Sequence, residues 1–94
     1  MGSDPTRYAV FLKPSAAATL TGLPQKDQKL VGRRIDALAT NPRPRGVEKL
    51  QGADELYRIR SGDYRIIYQI EDAVLKVLVI KIGQRGDVYR GLGR

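Results

Sequence analysis

The 94-residue sequence contains no histidine and no cysteine. Without cysteine the chain can form neither a disulfide nor a thiolate metal site, and a small secreted domain usually needs such cross-links. Without histidine it lacks both the usual general base near pH 7 and the commonest metal ligand. These absences exclude histidine-dependent nucleases, zinc hydrolases and Ser/His/Asp enzymes, and we expect no metal and no cofactor.

The sequence also lacks any run of about 18 apolar residues, the length that indicates a membrane-spanning helix, and its N-terminus does not resemble a signal peptide. Together with the absence of cysteine, this favours a cytoplasmic protein with no membrane association. A length of 94 residues predicts one domain, 1–94, in which 1–6 form a flexible N-terminus. Because so small a domain buries only about 60% of its unfolded surface, we expect its site on an open face or shallow groove.

Seventeen Lys and Arg residues against ten Asp and Glu give a net charge of +7. Such an excess is typical of proteins that bind nucleic acids. Arginine supplies most of it, and the planar guanidinium suits bidentate contacts to phosphate better than the lysine ammonium does. The alternative is that the charge serves only solubility.

Apolar spacing and turn residues predict the order β-α-α-β-β-β. We expect an α+β fold in which a helical hairpin packs on a small, mostly antiparallel four-stranded sheet. A rigid basic loop is predicted at Asn41–Gly46, and tight turns at Ser61–Asp63 and Glu71–Ala73. The predicted elements are a strand at Tyr8–Leu12, a short helix capped by Ser15 that ends before Pro24, a helix from Gln25 to about Thr40, and strands at Leu56–Arg60, Tyr64–Glu71 and Val74–Ile82.

Arginines alternate with apolar residues along two of the predicted strands. Period-two alternation allows Arg58 or Arg60 to lie with Arg65 on the sheet face away from the helices. Gly83-Gln84-Arg85, at the end of the last strand, is expected to add Arg85 to the rim of this face. A single arginine on an exposed strand is usually only solvated, but several on one face of so basic a chain predict a phosphate-binding surface.

Four of the tyrosines fall at strand or turn positions, where packing is their ordinary role. These are Tyr8, Tyr57, Tyr64 and Tyr68. Tyr89 differs because it follows the last long strand, beside Arg85 and Arg90. There a phenol can stack on a base or orient a reacting hydroxyl.

Several motifs recur in the order and spacing of the RelE/ParE toxin superfamily, and they resemble its RelE-like branch most closely. They are Leu50-Gln51-Gly52, Leu56-Tyr57-Arg58-Ile59-Arg60, Gly62-Asp63-Tyr64-Arg65-Ile66-Ile67-Tyr68, Ile82-Gly83-Gln84-Arg85 and Asp87-Val88-Tyr89. The resemblance runs from Tyr8 to Tyr89. It implies the toxin of a toxin–antitoxin pair that cleaves mRNA in the ribosomal A site without a metal, by attack of the 2′-OH on the adjacent phosphorus.

The resemblance also implies a role for each matching residue. Arg58 and Arg60 match two basic strand residues that hold the phosphate and help to activate the nucleophile. Arg65 matches the arginine that stabilises the developing phosphorane charge. Arg85 matches an arginine near the leaving oxygen, and Tyr89 matches the tyrosine that orients the attacking hydroxyl.

The sequence departs from the family pattern at two places. Gln84 stands where many relatives carry histidine, and positions 58 and 60 carry arginine where lysine is common. Since arginine does not readily deprotonate, we expect charge stabilisation and alignment by the ribosome to carry the rate. Only five residues follow Tyr89, so we expect no long C-terminal helix over the site.

Other basic residues are expected to contact ribosomal RNA. The candidates are Lys29, Arg33, Arg34, Arg43 and Arg45. An acidic antitoxin is the expected protein partner, because opposite charge accelerates association. It should lay a helix or extended segment over the surface formed by Arg58, Arg60, Arg65 and Arg85, or displace an element beside that surface. Two alternatives stay open: a ParE-like inhibitor of DNA gyrase, and a basic RNA-binding module without activity.

Overall fold

The computed structural model describes residues 7–50, 52 and 55–84. In this part of the chain two helices pack on a five-stranded sheet. No helix in it is long and apolar enough to cross a membrane. Residues 1–6, expected to be flexible, lie outside the described residues. The elements are β1 (Ala9–Leu12), α1 (Pro14–Gly22), α2 (Gln25–Ala37), β2 (Glu48–Lys49), β3 (Leu56–Ser61), β4 (Tyr64–Glu71) and β5 (Lys76–Gln84), with a 3₁₀ turn at Asp72–Val74.

The strands lie in the order β1-β5-β4-β3-β2. β1 runs parallel to β5, and the other neighbouring pairs are antiparallel. The predicted α+β fold, with helices on a mostly antiparallel sheet, is confirmed. The predicted number of four strands is corrected to five, since β2 pairs with β3 through Glu48 and Lys49. Two residues are too few for alternation to reveal a strand.

The helix boundaries differ from the predicted ones at both helices. Ser15 does not cap α1; the helix begins at Pro14, with Lys13 at the N-cap and no side-chain cap. Proline suits a first helical position because its φ is preset and its missing N–H would have no partner there. α2 ends at Ala37 instead of Thr40. The backbone N–H of Thr40 instead donates to the Ala37 carbonyl in a tighter last turn.

The core lies between the helices and the inner face of the sheet. The predicted apolar stripe of α2 is buried there, with Val31, Ile35 and Leu38 at most 3% exposed. Full burial of one such side chain stabilises the fold by about 1.5 to 3 kcal/mol. The fully buried Tyr68 donates a hydrogen bond to the Pro42 carbonyl at 2.6 Å. This bond satisfies the buried phenol and ties the loop before β2 to the core.

The connection between β4 and β5 is not the tight turn predicted at Glu71–Ala73. A 3₁₀ turn takes its place and ends at Leu75, whose φ of 51° lies in the left-handed region. β5 therefore begins at Lys76 and not at Val74. Further along, β5 contains a bulge: Tyr68 pairs with Val79, but Ile67 pairs with Lys81. The extra residue turns Lys81 to the face that Val77 and Val79 do not occupy.

Candidate functional site

Arg60 and Arg65 lie directly opposite each other in the β3–β4 hairpin, on the sheet face away from the helices. We call this the open face. The hairpin turn uses Gly62 at a φ of 60°, a conformation that glycine adopts without strain. On the other side of Arg65, β5 presents Gly83, which has no side chain. The two arginines predicted to converge are thus neighbours, and the glycine leaves space beside them.

An open depression of about 440 Å³ lies at this end of the sheet. It is lined by Arg60, Gly62, Asp63, Arg65 and Gln84. Arg65 is only 9% exposed, whereas Arg60 is exposed. Within the described ranges neither guanidinium makes a hydrogen bond or an ion pair. A nearly buried cation without a partner is costly, so the depression is suited to a bound anion.

Arg58 lies on the same face of the sheet, two residues before Arg60 in β3. It forms an ion pair with Glu48 of β2. The Arg58 side chain is 19% exposed and that of Glu48 is 61% exposed. The sequence did not single out Glu48, because β2 is too short to show alternation. Its carboxylate is an acceptor that competes with a phosphate for Arg58.

Lys81 is a second residue that the sequence interpretation missed. It stands opposite Ile67 in β5, and Ile67 stands opposite Arg58 in β3, so the three form one row across the open face. Simple alternation from Val77 and Val79 would place Lys81 among the core residues. The bulge reverses this assignment, and the open face gains a further cation.

Tyr64 borders the depression from the side of the helices. It pairs with Gln84 across β4 and β5, packs against the core, and donates its hydroxyl hydrogen to Asp27 at 3.3 Å. Burial, followed by the Asp27 carboxylate, raises the pKa of Tyr64, and the nearby Gln84 amide opposes this rise. Tyr64 therefore has the packing role expected of it and also connects α2 to β4.

Arg43, a candidate for RNA contact, is instead held within the fold. Its guanidinium donates to both carboxylate oxygens of Asp72, at 3.2 and 2.8 Å, and lies 5.2 Å from the centre of the Tyr57 ring. The Tyr8 hydroxyl donates to the same carboxylate at 2.6 Å. Hydrogen bonds from Arg43, and then from Tyr8, lower the pKa of Asp72 to about 2. The network anchors the loop before β2 to the turn before β5.

The other candidates for RNA contact divide into two groups. Arg34 is half-buried and donates from Nε to the Arg60 carbonyl at 3.0 Å. Lys29 and Arg33 are exposed on the outer side of α2, where Lys26 lines the same shallow groove. Arg45 is exposed and has no hydrogen bond or ion pair with any described residue. Lys29, Arg33 and Arg45 are thus open to a ligand, whereas Arg34 and Arg43 stabilise the fold.

Two predicted site residues, Arg85 and Tyr89, lie outside the described residues. Within ranges 7–50 and 55–84, and at position 52, no group of three or more histidine, cysteine or acidic residues is placed to hold a metal. The described site offers the guanidinium groups of Arg60 and Arg65, the Asp63 carboxylate and the Gln84 amide around an open depression, with a net positive charge. Such an arrangement binds anions and stabilises negative charge.

Comparison with known proteins shows the family to which the chain belongs. Residues 10–89 match the family described as the ParE toxin of the type II toxin–antitoxin system parDE. The chain is 33% identical over 89 residues to a RelE toxin of Methanocaldococcus jannaschii, covering 89% of this chain and 97% of the relative. It is 34% identical over 89 residues to the RelE toxin of Mycobacterium tuberculosis, covering 94% and 92%.

Its fold is similar to that of RelE in the RelE–RelB complex of Pyrococcus horikoshii. The TM-score is 0.76 and the identity 32%, over 85% of this chain and 97% of that one. The family match spans most of the sequence, and these relatives are RelE proteins. The chain therefore belongs to the ParE toxin family, within the RelE/ParE superfamily, and is a RelE-like toxin.

Proposed function

We propose that this chain is the toxin of a type II toxin–antitoxin pair and that it cleaves mRNA on the ribosome without a metal ion. The observation that carries the proposal is the pairing of Arg60 with Arg65 beside an open depression. The Arg65 guanidinium is nearly buried and lacks a partner among the described residues. A phosphodiester supplies the anion that such a group requires.

In the proposed reaction the 2′-oxygen forms a bond to the adjacent phosphorus, and the bond from phosphorus to the 5′-oxygen breaks. The 2′-OH proton is lost, and a proton is delivered to the 5′-oxygen. Arg65 stabilises the charge that develops on the phosphoryl oxygens, while Arg58 and Arg60 hold the phosphate. Arg85 near the leaving oxygen and Tyr89 at the attacking hydroxyl complete the proposed site.

The rate is expected to depend on charge stabilisation and alignment more than on acid–base catalysis. The chain has no histidine, and the guanidinium stays protonated at any physiological pH. A ribosome that holds the mRNA in a reactive geometry supplies part of the alignment. We therefore expect little cleavage of free RNA.

Binding to the ribosome is assigned to cations outside the depression. Lys29 and Arg33 on the outer side of α2, together with Arg45, are exposed and suited to phosphates of ribosomal RNA. Each such contact releases condensed counterions, so affinity should fall steeply as salt is added. Arg34 and Arg43 stay candidates for RNA contact, and both also make contacts within the fold.

The proposed partner is an acidic antitoxin that covers the open face. The net charge of +7 and the cluster of Arg58, Arg60, Arg65 and Lys81 favour an acidic segment. The P. horikoshii RelE was determined in a complex with RelB, which supports a protein partner of this kind. A complex that left the open face uncovered and the ribosome-binding residues free would contradict this mode of inhibition.

Inhibition of DNA gyrase is the second candidate, and the description of the matched family as ParE toxins favours it. A paired assay distinguishes mRNA cleavage from gyrase inhibition. The purified chain is incubated with ribosomes that carry a defined mRNA, and separately with gyrase and relaxed plasmid DNA. New 5′-OH ends in the mRNA with normal supercoiling support the nuclease, whereas intact mRNA with blocked supercoiling supports the gyrase inhibitor.

A further inference from the structure

We propose that Asp63 is a catalytic residue whose carboxylate accepts the proton that the attacking 2′-oxygen loses. This inference rests on the proposed cleavage of RNA and adds the proton acceptor which that reaction requires. A general base must lie within hydrogen-bond reach of the proton that it removes.

Asp63 is the only base among the five residues that line the depression. The guanidinium groups of Arg60 and Arg65 carry donors and no acceptor, and they do not readily lose a proton. Gly62 has no side chain, and the Gln84 amide is uncharged and does not take up a proton near pH 7. The chain has no histidine, which is the usual proton acceptor near neutral pH.

Asp63 lies in the turn that joins β3 to β4, beside the paired arginines. Ser61 and Tyr64 pair at the base of this turn, and the next pair along the hairpin is Arg60 with Arg65. Asp63 is exposed and lines the same depression as these arginines. Its carboxylate forms no ion pair and no hydrogen bond with a described residue. The carboxylate is therefore open to a substrate.

The backbone of the turn does not require an aspartate at this position. Gly62 has a φ of 60°, which favours glycine, whereas Asp63 has no positive φ. Asparagine or serine would also suit the turn. A negative charge beside a phosphate site repels the phosphate, so Asp63 opposes the binding that Arg60 and Arg65 provide. A proton-accepting role accounts for a carboxylate at this place.

Two other carboxylates adjoin residues of the site, and both have partners within the fold. Glu48 forms an ion pair with Arg58, and Asp27 accepts a hydrogen bond from Tyr64. Neither of them lines the depression. Asp63 is thus the described carboxylate that lies where the paired arginines would hold the phosphate.

In the proposed step the proton moves from the 2′-oxygen to a carboxylate oxygen of Asp63 while the 2′-oxygen forms its bond to phosphorus. The bond from phosphorus to the 5′-oxygen breaks, and the 5′-oxygen takes a proton from the solvent. Asp63 afterwards releases its proton to the solvent. A positioned base contributes about 100- to 10,000-fold to a rate. We expect the lower end, because water can reach an exposed carboxylate and replace it in part.

Asp63→Asn tests this role with little change in shape. It should lower the single-turnover cleavage rate of ribosome-bound mRNA at saturating toxin by about 100-fold. Its affinity, measured with an mRNA that carries a 2′-deoxyribose at the cleaved nucleotide, should stay at the parental value or rise, because a repulsive charge is removed. The control is Glu71→Gln, which changes an exposed carboxylate paired with Lys76 and should leave both values unchanged. Thermal melting shows whether each variant is folded.

A second variant separates proton transfer from other roles of the side chain. Asp63→Ala leaves space beside the 2′-hydroxyl, and formate added to pre-formed complexes should restore part of the lost rate. The restored rate should rise with the formate concentration, and potassium chloride at the same ionic strength should not restore it. A purely structural role for Asp63 in the turn would not respond to formate.

The outcomes distinguish this inference from the function on which it rests. If the parental protein leaves ribosome-bound mRNA intact, the proposed function and the inference are both wrong. If it cleaves mRNA and Asp63→Asn cleaves at the parental rate or faster, only the inference is wrong, and Asp63 acts as a competitor of the phosphate. A loss of rate that comes with an equal loss of affinity or a lower melting temperature, and without rescue by formate, would also overturn it.

Discussion

Arg34, in the last turn of α2, donates a hydrogen bond from Nε to the backbone carbonyl of Arg60, at 3.0 Å. The donor lies on the helix side of the sheet, and the acceptor belongs to a residue whose side chain lines the depression. The end of β3 is therefore fixed by a helix that packs on the other face of the sheet.

Arg34→Ala should lower the free energy of unfolding by about 1 kcal/mol, since a hydrogen bond to the β3 backbone is lost. Its neighbour Arg33 is the matched control, because it is exposed on the outer side of α2. Arg33→Ala should keep the parental melting temperature and weaken ribosome binding instead. Thermal melting and ribosome co-sedimentation measure the two effects. Equal melting temperatures for both variants would contradict the structural role of Arg34.

Arg65→Ala should reduce single-turnover cleavage of ribosome-bound mRNA by about 100- to 1000-fold, as expected when a cation directed at transition-state charge is removed. Stability should not fall, because Arg65 makes no ion pair within the described structure. Arg7→Ala, at an exposed position before β1, is the control and should cleave at the parental rate. An Arg65→Ala protein with full activity would show that this site does not perform the chemistry.

The lowered pKa of Asp72 predicts how the free energy of unfolding changes with pH. Its pKa is about 2 in the folded protein and near 4 in an unfolded chain, so folding favours the ionised form. The stabilisation is present above pH 4 and is lost as the pH falls from 4 through 2. Asp72→Asn should be less stable than the parent at neutral pH, and the difference should shrink steadily as the pH falls from 4 through 2. Urea unfolding at several pH values measures this, and a difference that stays constant between pH 5 and pH 2 would refute the assignment.

Glu48→Gln should strengthen binding to ribosome-bound mRNA by less than about 5-fold, since exposed ion pairs are worth at most about 1 kcal/mol. The carboxylate no longer competes with phosphate for Arg58. Glu71→Gln is the control, because Glu71 pairs with Lys76 at the other end of the sheet. Weaker binding by Glu48→Gln would indicate that the ion pair organises Arg58 for the substrate instead of competing with it.

Much of the fold and part of the site could be predicted because their patterns are local. The stripe of Val31, Ile35 and Leu38 indicated the buried side of α2. Alternation along β3 and β4 indicated that Arg60 and Arg65 share a face. Both inferences use only the geometry of one element or one hairpin.

The features that escaped prediction depend on long-range contacts or on irregular backbone. The ion pair between Arg43 and Asp72 was not predicted, because the two residues are far apart in the sequence and meet only in the folded sheet. Lys81 was overlooked because a bulge reverses the alternation of β5. Glu48 belongs to a strand of two residues. The spacing of residues within a single strand or helix does not reveal the Arg43 contact, the bulge before Lys81 or the two-residue strand that carries Glu48.

The position of β5 affects when the sheet can be completed during synthesis. β5 is the last described strand in the sequence, yet it lies between β1 and β4 in the sheet. A nascent chain that has not yet released β5 has no partner for β1 and no Gly83 beside Arg65. Pairing between such distant segments also forms late. Arg65 thus lacks a neighbouring strand on one side, and β1 lacks its partner, until synthesis has passed β5.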